Sequence, residues 1–148
     1  MTELPHGCKL TDLLIIPSDG GSVLHFIKRG DPGFLEFGEA YFSKIGQGVT
    51  RAWKMHYRMT LNLAVPVGRV LFCLKDLRDD SPTRGLSTKV FLGDETYRRL
   101  TVSPRIWFGF MGIGKGMNLI CNQADLPHDP KEVVREPFDF IKMDWSIS

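Results

Sequence analysis

The sequence predicts an all-β protein, a sandwich or a barrel, on three observations. Apolar and β-branched residues come in short runs of strand length. Gly and Pro, 15 and 9 of the 148 residues, punctuate those runs. No segment carries a sustained apolar repeat of helical period. The length suits one core, so residues 1–148 are expected to form a single domain.

In order, Cys8 to Ile16 reads as the first strand, and Pro17 with Gly20-Gly21 turns the chain. Ser22 to Lys28 follows as a strand by alternation, and RGDPG (Arg29 to Gly33) as a loop. Phe34 to Ile45 is expected to be extended, leading to Gly46 and Gly48. Val49 to Tyr57 and Leu61 to Val67 read as the two arms of a central hairpin. Arg69 to Asp76 is an apolar strand, and DLRDDSPTRG (Asp76 to Gly85) is a turn-rich loop. Ser87 to Leu92, Leu100 to Ser103 and Arg105 to Ile113 are strands, the last two broken at Pro104. Gly114 to Gly116 is expected to make a hairpin connection to a strand at Gly116 to Ala124. The tail from Asp125 to Trp145 holds three prolines and is expected to contain one helical turn.

Composition narrows the function. Hydrophobic residues make up 43% and charged residues 24%, an ordinary globular balance. A net charge of +2 is too small to indicate nucleic acid. No apolar segment reaches the ~18 residues of a membrane span, and Met1 to Gly7 lacks the pattern of a secretion signal. The three cysteines, Cys8, Cys73 and Cys121, have neither metal-ligand nor CxxC spacing. Free thiols and a cytoplasmic location are the expectation.

The chemistry concentrates between Gly48 and Gly68, GVTRAWKMHYRMTLNLAVPVG. Simple alternation puts Ala52, Lys54, His56 and Arg58 on one face, with Arg51, Trp53, Met55 and Tyr57 on the other. A row of cations facing an interior needs anionic or polar partners, because an unpaired buried charge is costly. An anionic ligand would supply them.

GVTRAW at Gly48 to Trp53, VPVG at Val65 to Gly68, and above all DLRDDSPTRG together resemble the dTDP-4-dehydrorhamnose 3,5-epimerases. LTVSPRIWFGF (Leu100 to Phe110), LPHDPKE (Leu126 to Glu132) and the closing DFIKMDW extend the resemblance over nearly the whole chain. It implies a cupin-like jelly roll, a double-stranded β-barrel with little helix, that forms homodimers through its sheets. It implies a pocket for a nucleotide-linked 4-keto sugar and no metal or organic cofactor. The implied reaction takes a proton from carbon beside the keto group and returns one on the other face.

The chain departs from the family pattern at its centre. Where the family has Arg-Gly, an apolar residue and the catalytic His, this chain has Arg51, Ala52, Trp53 and Lys54, with His56 two positions on. The family's acid is a Tyr on the strand aligned with Asn118 to Asn122, which carries none. Its second His falls on Phe108. The related nucleotide-sugar 3,4-ketoisomerases carry two His separated by one residue here, the spacing of Lys54 and His56.

Lys54 and His56 are thus the candidate catalytic residues, with Asp144 as their candidate carboxylate partner by resemblance. Arg51 and Arg58 are candidate contacts to sugar or phosphate. Asn118 and Asn122, on one face of a strand, are candidates to hydrogen-bond sugar oxygens, and Trp107 to stack on a ring. Lys54 is a poor metal ligand, and no acidic residue follows it until Asp76, so no metal is expected. Two functions fit: an epimerase or isomerase of a nucleotide-linked 4-keto sugar in cell-surface polysaccharide biosynthesis, or a non-catalytic jelly roll that binds a nucleotide sugar or another anion.

Overall fold

The structure is a computed structural model, and it describes residues 2–147. The strands are β1 (Lys9–Asp12), β2 (Ile15–Ser18), β3 (Gly21–Leu24), β4 (Glu39–Gly46), β5 (Thr50–His56) and β6 (Leu61–Val67). They continue with β7 (Arg69–Asp76), β8 (Ser87–Gly93), β9 (Arg98–Val102), β10 (Ile106–Gly112), β11 (Met117–Ala124) and β12 (Val133–Arg135). Two single turns of 3-10 helix, Pro130–Glu132 and Phe138–Phe140, are the helical content of the described residues.

Two five-stranded antiparallel sheets face each other in the jelly-roll manner, without closing into a continuous barrel. The first runs β1-β9-β6-β11-β4 and the second β12-β5-β10-β7-β8, while β2 and β3 form a separate ribbon. Side chains alternate along each strand, so the inner faces of both sheets fill one core. Leu63, Val65 and Leu100 from the first sheet meet Phe72, Leu74 and Ile106 from the second. The outer face of the second sheet is also apolar, and the C-terminal tail covers it. There Trp53, Leu71 and Trp107 pack under Ile141, Met143 and Trp145.

Two connections differ from expectation. β5 and β6 do not pair, and neither do β10 and β11. Both links carry the chain from one sheet to the other. Facing sheets lie ~10 Å apart and an extended residue spans ~3.3 Å, so residues 57–60 are long enough to cross. Gly and Pro mark a reversal of direction equally well whether the next strand pairs or crosses.

Other boundaries shift as well. Cys8 to Ile16 splits into β1 and β2, because the Leu13 amide turns to the carbonyl of Tyr97. Pro17 lies inside β2, on a two-stranded ribbon where its missing N–H is tolerated. The tail contains a true strand, β12, paired with β5. The loop after β7 closes on the buried Asp76, which accepts hydrogen bonds from Arg78, Ser81 and Thr83. Burial opposes ionisation of that carboxyl, but these donors outweigh it and hold its pKa far below the ordinary range. Arg78 is largely buried in this pair and serves the loop.

Candidate active site

A bulge in β5 shapes the site. Phe108 of β10 pairs with Lys54, and Phe110 pairs with Arg51. Two residues on β10 therefore span three on β5, and the alternation on β5 slips by one. Residues paired directly across antiparallel strands share a face, and Phe108 and Phe110 belong to the inter-sheet core. So Arg51 and Lys54 both point inward. This corrects the simple alternation, which set Arg51 on the opposite face. Trp53 turns outward, and its indole N–H donates to the carbonyl of Phe138 at 3.0 Å.

A cavity of about 440 Å3 lies between the sheets at this end. Its first wall consists of Tyr41 and Ser43 of β4, Leu61 and Leu63 of β6, and Ile120 and Asn122 of β11. Its second wall includes Arg51, Lys54, Phe108 and Phe110, with Arg135 and Glu136 from the tail. Arg135 pairs directly with Lys54 across β12 and β5. Three cations thus share a wall with one carboxylate, that of Glu136. The backbone of Glu136 is fastened to Trp53 by two hydrogen bonds of 3.0 Å.

Burial is the main cause that lowers the Lys54 pKa, and the charges of Arg135 and Arg51 add to it. The ammonium lies 5.5 Å from the centre of the Phe108 ring. Lys54 therefore gives up its proton more readily than an exposed lysine, and an anion placed beside it would gain a partly desolvated counter-charge.

His56 is buried next to this wall. Its Nδ1 is hydrogen-bonded to the carboxylate of Glu132. Glu132 also accepts from the backbone amides of Arg58 and Met59, at 3.0 and 3.1 Å. Burial lowers the His56 pKa despite the opposing pull of Glu132, which favours a neutral ring. A neutral ring that gives its Nδ1 hydrogen to Glu132 keeps its lone pair on Nε2. That nitrogen is buried without a hydrogen-bond partner. The Phe108 ring stacks on the imidazole with centroids 6.2 Å apart, and Phe108 is itself part of the cavity wall.

Asn122 is buried in the first wall, and its side-chain oxygen has no partner either. An orphaned buried carbonyl is costly unless something fills the need. Asn122 stands directly across from Tyr41 of β4.

The structure brings Arg51, Lys54 and Asn122 into the cavity and sets His56 against its wall. It does not bring the other candidates there. Arg58 is exposed on the link between the sheets, 3.9 Å from Asp129. Asn118 is buried, but its amide is engaged by the Arg69 amide and the carbonyls of Ile45 and Gly114. Trp107 faces the tail and packs on Phe140, with ring centroids 4.8 Å apart. Asp144 is exposed and 3.6 Å from Lys89. The carboxylate beside His56 is Glu132 instead, because β12 pairs Val133 with His56 and so brings the preceding residue alongside.

Glu132, Arg135, Glu136 and Tyr41 went unmarked in the sequence. For the first three, the signal was the β-branched pair Val133-Val134 after Pro130, a short strand inside a tail read as irregular. For Tyr41, it was the alternation of Tyr41, Ser43 and Ile45, which ends in a core residue and so faces inward. Among the described residues, no group of three His, Cys, Asp or Glu side chains converges to hold a metal. No helix among them is long and apolar enough to cross a membrane.

The chain is 39% identical to a crystal structure of a dTDP sugar isomerase from Desulfovibrio desulfuricans. The match covers 97% of this chain and 94% of that one, with a TM-score of 0.92. It is 26% identical over 147 residues to a "probable low-salt glycan biosynthesis epimerase" of Haloferax volcanii, covering 95% of this chain and 94% of the relative. A dTDP-4-dehydrorhamnose 3,5-epimerase from Sulfolobus tokodaii shares the fold at a TM-score of 0.83 and 22% identity, over 97% of this chain and 85% of that one. No family model matches the chain.

Proposed function

The chain belongs to the dTDP-4-dehydrorhamnose 3,5-epimerase-like family of sugar-nucleotide epimerases and isomerases, and on that premise we propose that it is itself an enzyme acting on a nucleotide-linked 4-keto sugar. It moves protons on the carbon next to the carbonyl, in the biosynthesis of a cell-surface polysaccharide or glycan. The observation that carries this reading is the row Arg51, Lys54, Arg135 inside a cavity whose other lining side chains include a single carboxylate, that of Glu136. A volume of about 440 Å3 suits a small-molecule ligand. The surplus of cations over Glu136 suits one with a diphosphate.

In this reading, His56 takes the proton from carbon. Glu132 holds the ring by Nδ1 and steadies the imidazolium that forms, which leaves Nε2 as the base. Lys54 stabilises the enolate oxygen, and its partial desolvation strengthens that effect. Arg51 and Arg135 hold the diphosphate, while Asn122 offers its free amide to a sugar hydroxyl. The Phe108 ring stacks on the imidazole and forms the part of the cavity wall in front of it.

The working form is a homodimer of one jelly-roll domain per chain. The β2–β3 ribbon supports this, because Leu14, Ile15, Ile16 and Val23 on and beside it are exposed apolar residues. Three free cysteines, two of them buried, suit a reducing cytoplasm.

Deuterium uptake from heavy water at C3 or C5, across a panel of nucleotide-linked 4-keto sugars, tests the proposal. Uptake with any of them supports it. If the folded protein binds these compounds and exchanges none of their protons, a non-catalytic binding role replaces it.

A further inference from the structure

An epimerase must return a proton from the side opposite the one it left. Arg51, Lys54, His56 and Arg135 all belong to β5 and β12, in the second sheet. The returning proton therefore has to come from the first sheet. Leu61, Leu63 and Ile120 have none to give. Ser43 and Asn122 carry an alcohol and an amide, both far weaker acids than a phenol. Tyr41 is the one phenol in that wall.

The resemblance to the epimerases places a Tyr acid on the strand that is β11 here, and between Asn118 and Asn122 that strand carries no Tyr. Tyr41 is the direct cross-strand neighbour of Asn122, so its Cβ stands ~5 Å away on the same face. The phenol thus enters the same region of the cavity from the next strand. Among the described residues, its hydroxyl makes no hydrogen bond.

We infer that Tyr41 is a catalytic residue, the proton donor on the cavity wall opposite the sheet that carries His56. This rests on the function proposed above. His56 Nε2 takes the proton of the C–H bond, and the electron pair of that bond passes into a C=C bond. The carbonyl becomes an enolate whose oxygen lies at Lys54. The Tyr41 O–H bond then breaks, its proton forms the new C–H bond on the opposite face, and the carbonyl re-forms. His56 is left protonated and Tyr41 ionised, and exchange with water restores both.

The test is Y41F, which removes one hydroxyl from a partly exposed side chain, compared with the unaltered protein in heavy water. Y41F is expected to lose epimerised product by about a hundredfold or more. It should keep taking up deuterium at the same carbon with retained configuration, because His56 returns the label to the face it left. Epimerised product at the unaltered rate overturns the role of Tyr41 and leaves the proposed function standing. Absence of exchange in the unaltered protein overturns both. A fluorinated tyrosine at position 41, a stronger acid, gives a second readout that does not depend on Y41F folding. It keeps the hydroxyl, so it should still form epimerised product, and a loss as complete as that of Y41F counts against the donor.

Discussion

His56 gives its Nδ1 hydrogen to Glu132, a residue 76 positions further along the chain. The pairing of β12 with β5 makes the meeting possible, and the same carboxylate gathers the amides of Arg58 and Met59. One side chain from the tail thus orients the imidazole and anchors the link between the two sheets.

Stability should fall in acid because of this pair. Burial lowers the His56 pKa below its ordinary value. For Glu132 burial acts in the other direction, but the hydrogen bonds from Arg58, His56 and Met59 outweigh it and lower that pKa too. Both groups bind fewer protons folded than unfolded. Their contribution is therefore complete above about pH 6.5 and is lost as falling pH protonates first the imidazole and then the carboxylate. Urea melts from about pH 8 to about pH 4 should show this loss. E132Q should flatten the slope and cost about 2 kcal/mol at neutral pH, since it weakens hydrogen bonds to a buried carboxylate.

Lys54 and His56 should separate kinetically. H56N is expected to reduce deuterium exchange by roughly a hundredfold or more while nucleotide binding persists. K54M should lower kcat by about a hundredfold, because it removes the charge on the enolate. R135A should act mainly through KM, because in the proposed reaction its side chain holds the unreacting diphosphate. Steady-state rates and binding titrations on the three variants distinguish these effects.

R58A and D144N should leave both activity and the melting temperature essentially unchanged. Both side chains are exposed and outside the cavity. Assays and thermal melts check this, and a large loss of activity in either variant would contradict its position.

G109A should damage the site without touching a polar group. A Cβ at Gly109 would lie 2.5 Å from the Ala52 Cβ and 3.0 Å from the Arg51 carbonyl oxygen. Relieving that overlap forces β10 away from the β5 bulge, at a cost of about 1–3 kcal/mol. Arg51 and Lys54 would shift with it, so exchange activity should fall further than stability does.

Much of this molecule is legible in its residues. Leu61–Val67 and Arg69–Asp76 are strands with the expected limits, because β-branched and apolar runs end at Val67-Gly68 and at the Asp76 turn. The family is legible in DLRDDSPTRG, whose loop folds around Asp76. Lys54 and Asn122 stand out by local pattern and Arg51 by the family resemblance, and all three line the cavity.

Alternation states which side chains share a face, but it is silent on which strand comes to lie alongside. Strand order therefore awaited the fold: β5 and β6 went to opposite sheets, and a tail strand supplied Glu132, Arg135 and Glu136. One added residue in β5 reversed the side of Arg51, and nothing in its composition announces it. The sequence by itself determined most of the strands, the family and the cationic segment, because these depend on neighbours along the chain. Only the tertiary structure decided that Glu132 rather than Asp144 serves His56, and that Tyr41 stands beside Asn122, because such meetings arise from hydrogen bonding between strands far apart in the chain.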